Sequence, residues 1–145
     1  MKVGVGASAY ARERVYGMMK ASELSQTAEA RLTDAKALLR ASRYDAAVYI
    51  CGYAVEIALK ARICKTLHWL EYPTGNGYGS FKTHNLDVLL HLSGRERAVK
   101  AKALTHWSIV KAWKPESRYG PIGKATRQNA REMISSTKAL IGVLG

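Results

Sequence analysis

The sequence predicts an all-α protein, an antiparallel bundle of four to five helices. Three observations carry this. Strong helix formers (Ala, Leu, Lys, Arg, Glu) dominate, and there are only three prolines. Apolar residues recur at spacings of three and four, the period of one helix face. The links between these stretches are mostly short, which favours antiparallel neighbours. At 145 residues and 48% hydrophobic, the chain has the size of one domain and can build a core without metal or disulfides.

Residues 1–21 are expected to form a flexible N-terminal arm or marginal helix, and residues 22–145 the bundle. Met18 and Met19 lie just before a helix start, so either is an alternative translation start to Met1. The first helix is placed over Ser22–Ser42, with Ser22 as cap and Leu24, Ala28, Leu32, Ala35 and Leu39 as its apolar stripe. The second begins at Asp45, a capping residue, and runs to about Trp69. Its start is apolar nearly all round, as suits the centre of a bundle. Its longest apolar stretch, residues 46–59, contains Glu56 and is too short and too charged to cross a bilayer.

Residues 71–82, rich in Gly, break the helical pattern. A third helix is expected from Thr83 to Gly94, and a fourth over residues 95–113 with Val99, Ala103, Trp107 and Val110 on one side. Lys114-Pro115 stops it, and Arg118-Tyr119-Gly120-Pro121 is irregular. The fifth covers about residues 125–144, with Ala130, Ile134, Thr137, Ile141 and Leu144 inward. No stretch reads as a strand hairpin.

The formal charge of +12 is unevenly spread. Residues 1–45 carry 8 basic and 5 acidic side chains, residues 46–94 carry 4 and 3, and residues 95–145 carry 11 and 3. A net +8 in the last third can form a cationic face that attracts phosphate. Cys51 and Cys64 are expected on one helix, roughly 20 Å apart, which excludes a bridge between them. With no disulfide framework and no signal peptide, the expected compartment is the cytoplasm. No Walker loop, nucleophilic triad or cofactor motif is present, and Cys64 with His68 supplies too few ligands for a metal.

Several pieces align in order: Asp34-Ala-Lys-Ala-Leu-Leu, Arg43-Tyr-Asp-Ala-Ala, Gly52-Tyr-Ala-Val-Glu-Ile-Ala-Leu-Lys-Ala, Thr83-His-Asn-Leu and Trp113-Lys-Pro-Glu-Ser-Arg-Tyr. Together, over residues 22–143, they resemble the HEPN family, named for higher eukaryotes and prokaryotes nucleotide binding. The resemblance implies a helical bundle that often dimerises. It also implies a role in binding RNA or nucleotides, in toxin–antitoxin or defence ribonucleases, or beside a nucleotidyltransferase partner. Active members carry an Arg followed four to six residues later by His, late in the domain. Here the last histidine is His106, preceded at that spacing by Lys100, and no histidine follows Arg118. Arg62 and His68 match the spacing formally, but six helical steps turn by about 240° and separate the two side chains unless the helix ends between them.

The leading expectation is therefore a non-catalytic module that binds RNA or nucleotide, with Lys111, Lys114, Arg118, Tyr119 and Lys124 as the phosphate-binding set. The alternatives are a homodimeric interaction module pairing with a nucleotidyltransferase, and a metal-independent toxin-type ribonuclease using Arg118, His84, His106 or His68. Glu56 and Lys60, spaced i, i+4, are expected to form a buried polar pair, or Glu56 to bond a neighbouring helix. Arg118 either pairs with a carboxylate such as Glu56 or belongs to the phosphate surface. His84 either bonds locally or joins a cleft facing Arg118. Of Trp107 and Trp113, one is expected in the core and the other over a groove or a partner.

Overall fold

The computed structural model describes residues 18–73 and 81–145. Most of the expected N-terminal arm and of the Gly-rich segment lies outside the described residues. Among those described are six α-helices: α1 (Ala21–Arg40), α2 (Tyr44–Thr66), α3 (Leu86–Ser93), α4 (Glu96–Lys102), α5 (Leu104–Val110) and α6 (Arg127–Leu144). A 3-10 helix spans Pro115–Tyr119. The all-α bundle is as expected.

The apolar stripe of α1 buries Leu24, Ala28, Leu32 and Ala35 against α2. Each leucine removed from water there contributes roughly 1.5–3 kcal/mol. Helix α2 is the centre: it touches α1, α3, α6 and the 3-10 helix, and is buried without a break from Ala54 to Leu59. A helix surrounded by others has no solvent face to keep polar, which is why its sequence is apolar nearly all round.

The helix starts differ from expectation. Ser22 is not a cap, since α1 begins one residue earlier, after Lys20. Asp45 lies inside α2, whose N-cap is Arg43, and its carboxylate bonds another segment. Asn85 rather than Thr83 caps α3, accepting from Val88 N at 3.2 Å. Helix α6 starts at Arg127 behind a reciprocal box: Thr126 Oγ1 accepts from Asn129 N, and Asn129 Oδ1 accepts from Thr126 N. Its buried face is Ala130, Met133, Ser136, Thr137, Leu140 and Leu144, rotated from the expected one, so that Ile134 and Ile141 are only half-buried.

The expected fourth helix is two, α4 and α5, broken at Ala103 (φ −144°, ψ 32°). The bend keeps Val99, Ala103, Trp107 and Val110 all buried while both short helices lie against α6. Helix ends α1 and α2 share one device. Beyond α1, Ser42 N bonds Leu39 O and Arg43 N bonds Leu38 O; beyond α2, His68 N bonds Lys65 O and Trp69 N bonds Cys64 O. Both are Schellman closures, and Ser42 (φ 60°) and His68 (φ 57°) hold the left-handed position that glycine usually takes.

A small antiparallel sheet was not foreseen. β1 (Met18–Lys20) pairs with β2 (Glu71–Pro73), with Met19 opposite Tyr72. Buried Tyr72 ties it to the bundle: its hydroxyl donates to Phe81 O, and its ring meets Phe81 edge-on.

Candidate functional site

Asp45, Tyr49, Gly52, Glu56 and Lys60 follow one another on α2 at spacings of four, three, four and four. At 100° per residue they fall within a sector of about 80°, one face of the helix. Two polar features sit on this face, one toward each end.

At the N-terminal end a cleft of about 560 Å³ opens between α2, α5, the 3-10 helix and residues 120–125. Its apolar wall includes Val48, Tyr49, Ile109, Trp113 and Met133, and its charged lining includes Arg118 and Lys124. Trp113 lies over Gly52, and the Tyr49 and Trp113 ring centroids are 5.8 Å apart. The Trp113 Nε1–H is buried with no hydrogen-bond partner, a cost of about 1–3 kcal/mol. Arg118 projects from the 3-10 helix, its guanidinium carbon 4.9 Å from the Tyr119 ring centroid. Hydrogen bonding to Tyr49, then to Tyr119, favours its charged form. Asp45 closes the far side: Oδ2 accepts from Gly123 N at 2.6 Å and Oδ1 from Ala125 N at 2.8 Å.

Further along α2, Glu56 is only 2% exposed. Its Oε2 accepts from Lys60 Nζ at 3.2 Å, and its Oε1 lies 2.9 Å from His84 Nδ1. Lys60 Nζ also stands 5.5 Å from the Tyr72 ring centroid. The expected Glu56–Lys60 pair thus forms, joined by a residue from before α3. Both acceptor oxygens of Glu56 are engaged, as a buried carboxylate requires.

The structure brings Arg118 and Lys124 to one cleft, with Tyr119 beside Arg118. Lys111 and Lys114 are exposed near it in sequence but are not part of its lining. Arg118 does not pair with Glu56, whose oxygens are taken by Lys60 and His84. His84 neither bonds locally nor lines the cleft with Arg118; it reaches across to α2. His106 Nδ1 lies 3.0 Å from the buried Ser136 hydroxyl and cross-links α5 to α6. Arg62 Nη1 donates to Leu144 O at 3.4 Å, and Arg95 and Lys65 donate to Val143 O and Gly145 O. These cations cap the C-terminal end of α6, where the helix dipole is negative. Both Trp107 and Trp113 are buried, Trp113 as core and cleft wall at once.

Sequence reasoning missed several groups around the same loop. Arg127 stands 5.5 Å from the Tyr44 ring centroid, and Arg131 acts on the same hydroxyl; a hydrogen bond from Ser42, then these cations, lowers the Tyr44 pKa. The signal was present as Arg127 and Arg131 at i, i+4, but their closeness to the α1–α2 turn is a tertiary fact. Among the described residues no three His, Cys, Asp or Glu side chains are grouped to hold a metal. No helix among them is long and apolar enough to cross a membrane.

The candidate site on this α-helical bundle is thus a cleft walled by Tyr49 and Trp113, with Asp45, Arg118 and Lys124 as its charged lining. Residues 21–145 match the family model of the HEPN domain. The chain belongs to the HEPN family, whose membership suggests a nucleotide- or RNA-related function. No curated protein and no solved structure matches it.

Proposed function

We propose that this is a non-catalytic HEPN protein that binds RNA or a nucleotide at the cleft, with the phosphate held at its rim. The observation that carries this reading is the convergence of Arg118 and Lys124 on a cleft walled by Tyr49 and Trp113. A guanidinium grips phosphate through two parallel hydrogen bonds, an ammonium adds a point charge, and aromatic walls suit a base. Tyr119 stands beside Arg118, and Lys111 and Lys114 are exposed close by in sequence, available to extend the cationic surface. Lys100 in place of an arginine before His106, and the lack of a histidine after Arg118, support a binding role over the family's Arg–His ribonuclease chemistry.

The test is affinity for a labelled RNA across a salt series. Each phosphate neutralised on single-stranded RNA contributes a slope of about −0.7 in log K against log salt. Binding that falls steeply with salt, and that weakens on Arg118→Ala and Lys124→Ala, is the expected result. A flat salt response, or no binding to RNA, DNA or nucleotide, removes the reading.

A second reading, an interaction module that dimerises or pairs with a nucleotidyltransferase, is favoured by one feature of the same rim. Ile122 is 99% exposed and Tyr119 78%. A monodisperse monomer that captures no partner would count against it.

A further inference from the structure

Residues 120–125 line the cleft at Gly120, Pro121, Ile122, Lys124 and Ala125, yet nearly all of them are exposed and bury little apolar surface. Such a segment gains little from packing, so its position depends on the hydrogen bonds that tie it down. The ties to α2 run to one side chain. Asp45 accepts from Gly123 N with one carboxylate oxygen and from Ala125 N with the other. Lys124 is the residue between the two bonded amides. Gly123 has φ 83°, so the backbone turns there in a conformation that side chains other than glycine's rarely adopt, and a bond is needed to hold one of several open turns.

We propose that Asp45 is a positioning residue for phosphate binding, clamping the 123–125 backbone so that Lys124 stands on the same cleft as Arg118. This rests on the proposed function above. It adds a role for an acidic residue at a site meant for an anion, which simple electrostatics would call harmful. The two views predict opposite signs. If Asp45 contributes only its charge, removing it should tighten phosphate binding about twofold, the effect of one unit charge roughly 10 Å away in water. If it positions Lys124, removing it frees the loop and the Lys124 contact is lost.

The experiment compares the full chain with Asp45→Ala, Asp45→Asn, Lys124→Ala and the double variant Asp45→Ala/Lys124→Ala, each binding a labelled oligouridine across a salt series. Asp45→Ala is expected to weaken binding roughly five- to tenfold and to lower the salt slope by about 0.7, the share of one phosphate contact. Asp45→Asn should fall between it and the wild type, because the amide keeps one acceptor. The double variant should lose no more than the worse single variant, since both remove one contact. Amide exchange at Gly123 and Ala125 should speed up in Asp45→Ala while the melting temperature stays near that of the wild type. Tighter binding by both Asp45 variants, or additive losses in the double variant, overturns the proposal. Should Asp45→Ala unfold, Asp45→Asn alone still decides the sign. Absence of wild-type binding to this probe and to any other RNA, DNA or nucleotide sinks the functional reading and this inference with it, whereas wild-type binding with tighter Asp45 variants sinks the inference alone.

Discussion

Gly52 of α2 lies directly beneath the indole of Trp113: a Cβ on Gly52 would stand 2.1 Å from Trp113 Cγ. No side chain can occupy that space without moving the ring. Two effects of Gly52→Ala oppose each other. Alanine gains about 1 kcal/mol of helix propensity over glycine. Overpacking a filled core costs about 1–3 kcal/mol, and a contact this short places the cost at the upper end. The net is destabilising, by about 1–2 kcal/mol. Gly142 of α6 is the control, because a Cβ there meets nothing within 4 Å. Gly142→Ala should stabilise the protein by about 0.5–1 kcal/mol. Urea denaturation of both variants checks the pair, and a stabilised Gly52→Ala would mean that Trp113 does not sit on α2.

Glu56 is predicted to matter more for stability than its partner His84. The Glu56 side chain is 3% exposed and that of Lys60 14%, whereas that of His84 is 60% exposed. Glu56→Ala leaves the Lys60 ammonium largely buried with no counter-charge, at a cost of about 3 kcal/mol. His84→Ala removes the bond to Glu56 Oε1, but the largely exposed place of His84 admits water in its stead, so the loss should be smaller, about 1 kcal/mol. Equal losses in the two denaturation curves would show that the cluster is not buried as a unit.

Periodicity made much of this fold legible. The stripes Leu24 to Ala35 and Val99 to Val110 lie where spacing put them, because burial on one side is what the 3.6-residue period records. Caps were read less well. Ser22, Asp45 and Thr83 have the right chemistry, but each lies within two residues of the position that closes its helix, and only tertiary contacts decide which residue does so. The β1–β2 pairing escaped because its strands are three residues long and about fifty residues apart, with no local turn to announce them. At the site, the basic residues were visible as a charge excess. The partner of Asp45 was not, since backbone amides 78 and 80 residues away leave no mark in composition.

His68 separates a structural from a catalytic role with one substitution. Its φ of 57° closes α2, and the left-handed region costs a non-glycine residue roughly 1–2 kcal/mol. His68→Gly should therefore raise stability, by about 0.5–1 kcal/mol after the entropy of glycine in the unfolded chain is counted. A catalytic histidine would show the same gain in stability together with a loss of cleavage. Any ribonuclease activity of the purified chain should survive His68→Gly, assayed without metal. Activity that disappears with a raised melting temperature would place His68 in a reaction after all.

The two thiols should be inert in the native state. Burial pushes the pKa of both Cys51 and Cys64 up to about 11. At pH 8 about one thiol in a thousand is then ionised, and the thiolate is the reactive form. A disulfide reagent should label neither cysteine over minutes in buffer and both at once in denaturant. Fast labelling of one native thiol would point to a local opening of α2, against its place at the bundle centre.

The Asp45 clamp carries its own pH dependence, and its direction follows from the site. The hydrogen bonds from Ala125 and then Gly123 hold the carboxyl below its ordinary value, with Arg43 adding to the effect. A depressed native pKa means that the charged form is favoured by folding. The clamp is thus at full strength above the ordinary carboxylate range, about pH 4, and is lost as pH falls through the lowered native value. Amide exchange at Gly123 and Ala125, corrected for the intrinsic rate, should be unchanged from pH 8 to 5 and should rise only below about pH 4. Asp45→Asn should abolish that dependence, because its amide does not titrate. A rise in exchange already at pH 6, in the wild type and in Asp45→Asn alike, would assign the loop's anchorage to a titrating group other than Asp45.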